Sequence, residues 1–108
     1  MNNRELLELA AKAAGYRVWV KEVTVRIWHP NTEWTTWNPL TYDGDALRLA
    51  VKLSLSPMMR TLGCDTTDLN GTAGAYEKWG NDPYAATRRA IVRAAAEIGS
   101  QMQKGGAA

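Results

Sequence analysis

The chain has 108 residues, 45% of them hydrophobic, which is enough for one compact domain without disulfides or metal. Its net charge of +2 and sequence pI near 8.9 are too mild to favour nucleic acid as a partner. The single cysteine, Cys64, excludes an intramolecular disulfide, and no basic, apolar leader precedes the first helical pattern. These two features predict a cytoplasmic protein. Because no apolar run reaches the roughly 18 to 20 residues that cross a bilayer, we expect no membrane association.

The first predicted element is an amphipathic helix that begins at the cap formed by Asn2-Asn3 and ends at Ala14. Gly15 follows as a left-handed C-cap. The apolar stripe of this helix comprises Leu6, Leu9, Ala10 and Ala13.

From Tyr16 onward the apolar period changes from 3.6 to 2, which is typical of strands. Apolar residues fall at positions 16, 18 and 20 and then at 23, 25 and 27, so the parity changes once. A two-residue turn at Lys21-Glu22 predicts a hairpin that places all six on one buried face. A bulge within one bent strand is the alternative explanation. The predicted pairs are Val20 with Val23, Val18 with Val25, and Tyr16 with Ile27.

The central part of the chain predicts a turn, a short strand and a second helix. The turn is 29–32, the strand is 33–38, and the helix is about 45–55, capped by Asp43 or Thr41 and ended by Pro57. We expect this helix to pack on the sheet. Its predicted apolar surface comprises Leu47, Ala50, Val51 and Leu53.

The last third predicts strands at 58–62 and 75–79 around an Asn70-Gly71 turn, followed by a helix. Asp82-Pro83 supplies a capping carboxylate and an N1 proline for this helix, which should run to about Met102 and leave 103–108 as a disordered tail. Its predicted core stripe comprises Ile91, Ala94, Ala95 and Ile98. The expected fold is therefore one α+β domain over 1–108, with a small antiparallel sheet packed against N-terminal, central and C-terminal helices.

The predicted hairpin carries a basic and aromatic surface on the face opposite its apolar residues. Arg17, Trp19, Arg26 and Trp28 should share that face, which suits stacking of a flat ligand beside phosphate-binding charges. The alternative is that a helix or a second subunit covers it.

The other tryptophans have separate predicted roles. Trp34 and Trp37 have opposite strand parity, so we expect Trp37 in the core and Trp34 on a binding surface. Trp79 is expected to staple the last helix to the core.

Other chemically distinctive residues carry weaker signals. His29 could contact phosphate or serve as a general base, and Cys64 could be its nucleophilic partner, but no catalytic signature surrounds either residue. Asp43-Gly44-Asp45 favours helix capping over metal binding, because no further oxygen ligands accompany it. The last helix carries Arg88, Arg89 and Arg93. These are expected to be solvated helix charges, and the alternative is a basic ridge that binds an anionic partner.

Three segments carry a resemblance: Arg4 to Gly15, the Trp37-Asn38-Pro39-Leu40 run continuing through Asp43 to Ala50, and Asp82 to Ile91. Together they resemble a group of small proteins of tailed phages and prophages for which no activity or catalytic residues are established. The resemblance covers about half of the chain. It implies a phage accessory role in the host cell, such as host takeover or counter-defence.

These patterns predict a non-enzymatic binding protein without cofactor or metal. The leading hypothesis is sequestration of a nucleotide-like small molecule, with homodimerisation completing the pocket. The alternative is an inhibitor that binds a host or defence protein, with Trp19, Trp28 and Trp34 as hot spots. A hydrolase that uses His29 and Cys64 is a third hypothesis. The predicted ligand-binding residues are Arg17, Trp19, Arg26, Trp28, His29 and Trp34.

Overall fold

In the computed structural model, residues 2–29 and 33–106 are described, except for the side chains of positions 29, 105 and 106. This part of the chain forms an α+β fold with three helices and two antiparallel, three-stranded sheets, which confirms the predicted fold class. The helices are α1 (Asn3–Ala13), α2 (Asp43–Leu53) and α3 (Pro83–Gly106). The strands are β1 (Val18–Lys21), β2 (Thr24–His29), β3 (Glu33–Thr36), β4 (Ser56–Met59), β5 (Gly63–Thr67) and β6 (Gly74–Lys78).

Close packing of α1 against α3 forms the centre of the core. Asn2 caps α1 by accepting a 2.8 Å hydrogen bond from the Glu5 N–H, and Gly15 follows the helix with φ +76°, as predicted. Gly99 of α3 is buried against α1, and a Cβ built on it would lie 2.0 Å from the Leu9 carbonyl oxygen. The two backbones therefore approach each other at a point that admits only glycine. The surrounding buried alanines are Ala10, Ala11, Ala14, Ala94, Ala95 and Ala96.

The hairpin prediction is confirmed for β1 and β2, but the predicted register is wrong by two residues. Lys21 pairs with Thr24, so the turn is Glu22-Val23, and Val23 is 86% exposed instead of buried. The predicted pairs of Val20 with Val23 and of Tyr16 with Ile27 are absent from the β1–β2 ladder. The observed pairs are Val18 with Ile27, Trp19 with Arg26, and Val20 with Val25.

Charge explains why the observed register is preferred. The predicted register would place Arg17 directly opposite Arg26, and like charges in opposed positions destabilise a sheet. The observed register places Arg26 opposite Trp19 instead, and the Trp28 N–H donates to the Arg17 carbonyl at 3.0 Å. Each arginine thus lies beside an indole, and both registers bury the same face of the hairpin.

Trp37 directly follows β3 on the first sheet and lies in the core. Its backbone N–H donates to the Val25 carbonyl at 2.9 Å, and its side chain is only 4% exposed. The Tyr16 ring meets the indole edge to face at 5.7 Å. Burial is the main cause that raises the pKa of Tyr16. The predicted core role of Trp37 is confirmed.

The second helix differs from its prediction at the N-cap and in its packing. Tyr42 occupies the N-cap position without a side-chain hydrogen bond, so the predicted capping by Asp43 or Thr41 is wrong. Asp45 instead accepts from the Asn38 N–H at 3.0 Å. The main contact of α2 is with α3 rather than with a sheet.

The buried side of α2 also differs from its predicted stripe. Ala46, Leu49 and Ala50 are buried, whereas Leu47 and Val51 are 65% and 72% exposed. Positions 46, 49 and 50 form one helical stripe and 47 and 51 form the next, so both sides of the helix are apolar. Packing against α3 selects the stripe that contains the small alanines, since these permit close approach.

The second sheet has the order β4-β5-β6 and includes a strand that the sequence pattern did not indicate. The predicted strand at 75–79 corresponds to β6, but it pairs with β5 instead of with the 58–62 segment. The central strand β5 buries Cys64 and Thr66 completely, and the Cys64 Sγ lies 3.5 Å from the Thr66 Oγ1.

A compact loop joins β5 to β6 around the predicted Asn70-Gly71 turn. The Asp68 carboxylate accepts hydrogen bonds from the Thr72 hydroxyl and N–H at 2.7 and 2.8 Å and from the Ala73 N–H at 3.3 Å. These bonds, with that of the Thr72 hydroxyl as the largest cause, hold the pKa of Asp68 below its ordinary value of 3.8.

The last helix begins as predicted and extends further than predicted. Asp82 caps it by accepting hydrogen bonds from the N–H groups of Tyr84 and Ala85 at 3.0 and 3.1 Å. Instead of ending near Met102, α3 continues to Gly106, which includes four residues of the predicted tail. Positions 107 and 108 lie outside the described residues.

Candidate functional site

The first sheet brings together five of the six residues predicted to bind a ligand. Trp19 lies opposite Arg26, Trp28 lies opposite Trp34, and Arg17 is hydrogen-bonded through its backbone to Trp28. Because opposed residues in a sheet share a face, all five side chains project from one side of the sheet. We call this surface the tryptophan–arginine face.

His29 is the sixth predicted ligand residue. Its backbone ends β2 and pairs with Glu33, which starts β3 with φ +62°. The His29 side chain and the predicted turn at 30–32 lie outside the described residues.

Arginine–indole contacts organise the tryptophan–arginine face. The Arg26 guanidinium carbon lies 5.4 Å from the Trp19 ring centre, and that of Arg17 lies 5.7 and 6.0 Å from those of Trp28 and Trp34. Trp28 and Trp34 meet edge to face at 5.7 Å. These distances suit cation–π attraction, which aligns the guanidinium groups above the rings.

The tryptophan–arginine face is open in the single chain. Trp19 and Trp34 are 42% and 38% exposed, whereas Val25 and Ile27 on the opposite face are each 2% exposed. The core and α1 lie on that opposite face. Coverage of this face by a helix was one predicted alternative. Among the described residues, no helix covers Trp19 or Trp34.

The arginines of this face differ from the other arginines in their charge environment. Among the described residues, neither Arg17 nor Arg26 has a carboxylate oxygen within 4 Å. The other six arginines each have one; their pairs are Arg4–Glu8, Arg48–Asp45, Arg60–Asp65, Arg88–Asp43, Arg89–Glu77 and Arg93–Glu77. Both arginines without a carboxylate partner among the described residues thus lie beside indoles of the tryptophan–arginine face.

Ion pairs with two carboxylates engage all three arginines of the predicted basic ridge on α3 and leave it one net positive charge. Glu77 of β6 lies between Arg89 and Arg93 and pairs with both. Arg88 donates to the Leu40 carbonyl at 2.9 Å and to the Asp43 carboxylate at 2.7 Å. These arginines connect elements of the fold to one another.

Cys64, the hypothesised nucleophile, and Asp43-Gly44-Asp45, for which helix capping was expected over metal binding, are engaged within the fold. Cys64 is fully buried within β5, so its thiol is not presented to a substrate. Asp43 and Asp45 point to separate partners, Arg88 and Arg48. Within residues 2–29 and 33–106, no group of three or more His, Cys, Asp or Glu side chains is placed to hold a metal ion.

An apolar groove of about 440 Å³ between α2, β4 and α3 was missed by sequence reasoning. Leu47, Met59 and Tyr84 leave large exposed apolar surfaces along it. Trp79 lines the groove, and its indole N–H donates to the Arg60 carbonyl at 3.1 Å. The second apolar stripe of α2, at positions 47 and 51, was the available sequence signal.

Comparisons with protein-family models, with curated proteins and with solved structures gave no match to this chain. The resemblance to proteins of tailed phages therefore stays a prediction. Among the described helices, none combines the length and apolar character needed to cross a membrane.

Proposed function

We propose that this protein is a non-enzymatic binding protein that captures a nucleotide-like ligand on the tryptophan–arginine face. One observation carries the proposal: the two arginines without a carboxylate partner among the described residues both stand over indoles of this open face. A nucleobase offers a flat ring for Trp19 or Trp34, and a phosphate offers acceptors for Arg17 or Arg26. Such a surface recognises aromatic and anionic groups together.

The expected affinity depends on how much of the face the ligand spans. Stacking of one base contributes about 1–3 kcal/mol, and a charge-assisted hydrogen bond adds about 1.5–3 kcal/mol before ordering costs. One base and one phosphate therefore give roughly millimolar binding or weaker. A ligand that engages both the Trp19–Arg26 pair and the Arg17–Trp28–Trp34 group is expected to reach about micromolar affinity. Dinucleotides, linear or cyclic, are thus better candidates than mononucleotides.

Titration calorimetry with linear and cyclic mononucleotides and dinucleotides tests the proposal. We expect a dinucleotide to bind the natural chain, with Arg26→Gln and Trp19→Ala each weakening binding about tenfold, equivalent to about 1.4 kcal/mol. Arg4→Gln is the matched control, since Arg4 is exposed and pairs with Glu8 on α1. Absence of nucleotide binding, or equal binding by the Arg26→Gln and natural chains, would refute nucleotide capture.

The proposed biological setting is that of a phage accessory protein in the host cytoplasm. Sequestration of a nucleotide lowers its free concentration without any catalytic step. That role suits host takeover or counter-defence, as the resemblance of three sequence segments implies.

A second candidate is inhibition of a host or defence protein through the same face. The observation that favours it is shape: none of the five side chains lines the grooves of about 440, 310 and 630 Å³. Small ligands prefer concave sites, whereas exposed Trp and Arg side chains on open surfaces are typical hot spots of protein interfaces. Affinity capture from host extract, followed by mass spectrometry, would test it. The same protein should be retained by the natural and Arg4→Gln chains and lost by Trp19→Ala and Trp34→Ala.

A further inference from the structure

We infer that the open edge of β1 takes an extended acidic peptide of a partner protein as a fourth strand of the first sheet. The inference names the partner segment for the second proposed function and rests on that function. Nucleotide capture is separate, because it does not require the strand edge.

The backbone of β1 has hydrogen-bonding groups directed away from its own sheet. In the order β1-β2-β3, β1 is an outer strand. The Trp28 N–H donates to the Arg17 carbonyl at 3.0 Å, so position 17 faces β2. Because facing alternates along an antiparallel strand, the N–H and C=O groups of Val18 and Val20 are directed to the open edge. These four groups match the pairing pattern of an added strand.

A groove runs beside this edge on the side that α1 covers. It has a volume of about 630 Å³. Leu9, Tyr16 and Val18 supply its apolar surface, and its polar lining comprises Glu5, Glu8, Lys12 and Gln103. Val18 is 37% exposed. Since every second side chain of an added strand would enter this groove, the partner segment should carry apolar residues at alternate positions.

The remaining side chains of the added strand would lie beside the tryptophan–arginine face. The β1 segment presents Arg17, Trp19 and Lys21 on this side. Neither cation has a carboxylate oxygen within 4 Å in the described part of the chain. Acidic residues at these positions of the partner would supply the missing opposite charge.

Charge also argues against a second copy of this chain as the occupant. Antiparallel pairing of two β1 strands centred on Trp19 would place Arg17 of each copy opposite Lys21 of the other. Like charges directly opposite each other destabilise a sheet, and basic residues on edge strands commonly prevent self-pairing. In this register the edge therefore fits a heterologous acidic strand better than a second copy of itself.

The test uses a capped Glu-Val-Glu-Val-Glu peptide and a Lys-Val-Lys-Val-Lys control on the intact chain. We expect the acidic peptide to bind and to protect the amide protons of Val18 and Val20 from hydrogen exchange, measured by NMR. Val18→Pro removes only the outward N–H, so it should preserve the β1–β2 ladder and weaken binding by about tenfold. The double substitution Arg17→Glu with Lys21→Glu keeps every backbone donor and should reverse the preference towards the basic peptide.

Four results would overturn the inference. These are absence of peptide binding, binding without protection of Val18 and Val20, equal binding by the folded Val18→Pro chain, or a dimer of the protein alone with those amides protected. The second proposed function has a separate criterion. A host protein that is lost with Trp19→Ala and retained with Val18→Pro would leave docking on the face intact and refute the added strand.

Discussion

Substitution of Gly99 by alanine tests whether α1 and α3 pack as closely as described. A Cβ at this position would lie 2.0 Å from the Leu9 carbonyl oxygen, so the two atoms must separate to at least 3.0 Å. Moving two packed helices apart by such a distance costs about 1–3 kcal/mol. The higher helix propensity of alanine offsets about 1 kcal/mol of this cost. We expect the cost to lie near the upper end of its range, so the free energy of unfolding should fall by about 2 kcal/mol. For a chain of this size, the melting temperature should fall by roughly 8–16 °C.

Gly44→Ala provides a matched control in α2. Its added Cβ would lie 3.3 Å from the Arg48 guanidinium, whose exposed side chain can move away. This substitution should leave stability unchanged or raise it by up to about 1 kcal/mol. Urea unfolding followed by tryptophan fluorescence measures both variants. A Gly99→Ala chain as stable as Gly44→Ala would refute the close approach of α1 and α3.

Four further predictions concern stability and reactivity. Trp37→Ala should lower the free energy of unfolding by about 3–5 kcal/mol in urea denaturation, whereas the exposed Trp34→Ala should cost no more than about 1 kcal/mol; equal losses would contradict the assigned burial. Asp82→Ala should lower it by about 1 kcal/mol through loss of the helix cap, and an unchanged urea midpoint would refute that role. Because its folded-state pKa is depressed, the stabilisation from Asp68 is complete above pH 3.8 and is lost as pH falls through the depressed pKa. Stability of Asp68→Asn should therefore fall less between neutral and acid pH, and an identical fall would contradict this. Cys64 should react with iodoacetamide only in urea, as mass spectrometry can show; rapid labelling of the native chain would contradict its burial.

Local patterns in the sequence predicted much of the fold because the responsible interactions are local. The cap at Asn2, the helix start at Asp82-Pro83 and the parity of the hairpin each depend on residues only a few positions apart. The predicted hairpin face was therefore right, although its register was wrong by two positions. Registers that differ by two keep the same faces, and cross-strand contacts of Arg17 and Arg26 decide between them.

Features that depend on distant partners were not predictable in the same way. The exposed position of Leu47 follows from which stripe of α2 meets α3, and periodicity does not identify that stripe when both are apolar. The strand β5 has no run of large apolar residues, because Cys64 and Thr66 fill its buried positions. Arg17 and Arg26 could be placed on one face from sequence, but the carboxylate partners of the other arginines come from positions up to 45 residues away.

NMR of the indole N–H groups during titration with a dinucleotide tests the tryptophan–arginine face most directly as the binding surface. We expect the signals of Trp19, Trp28 and Trp34 to shift with a common saturation curve while those of Trp37 and Trp79 stay in place. Trp37 is held in the core, and Trp79 lines the separate groove of about 440 Å³. A shift of Trp79 alone, with the three indoles of the face unmoved, would contradict the account and place the binding site in that groove.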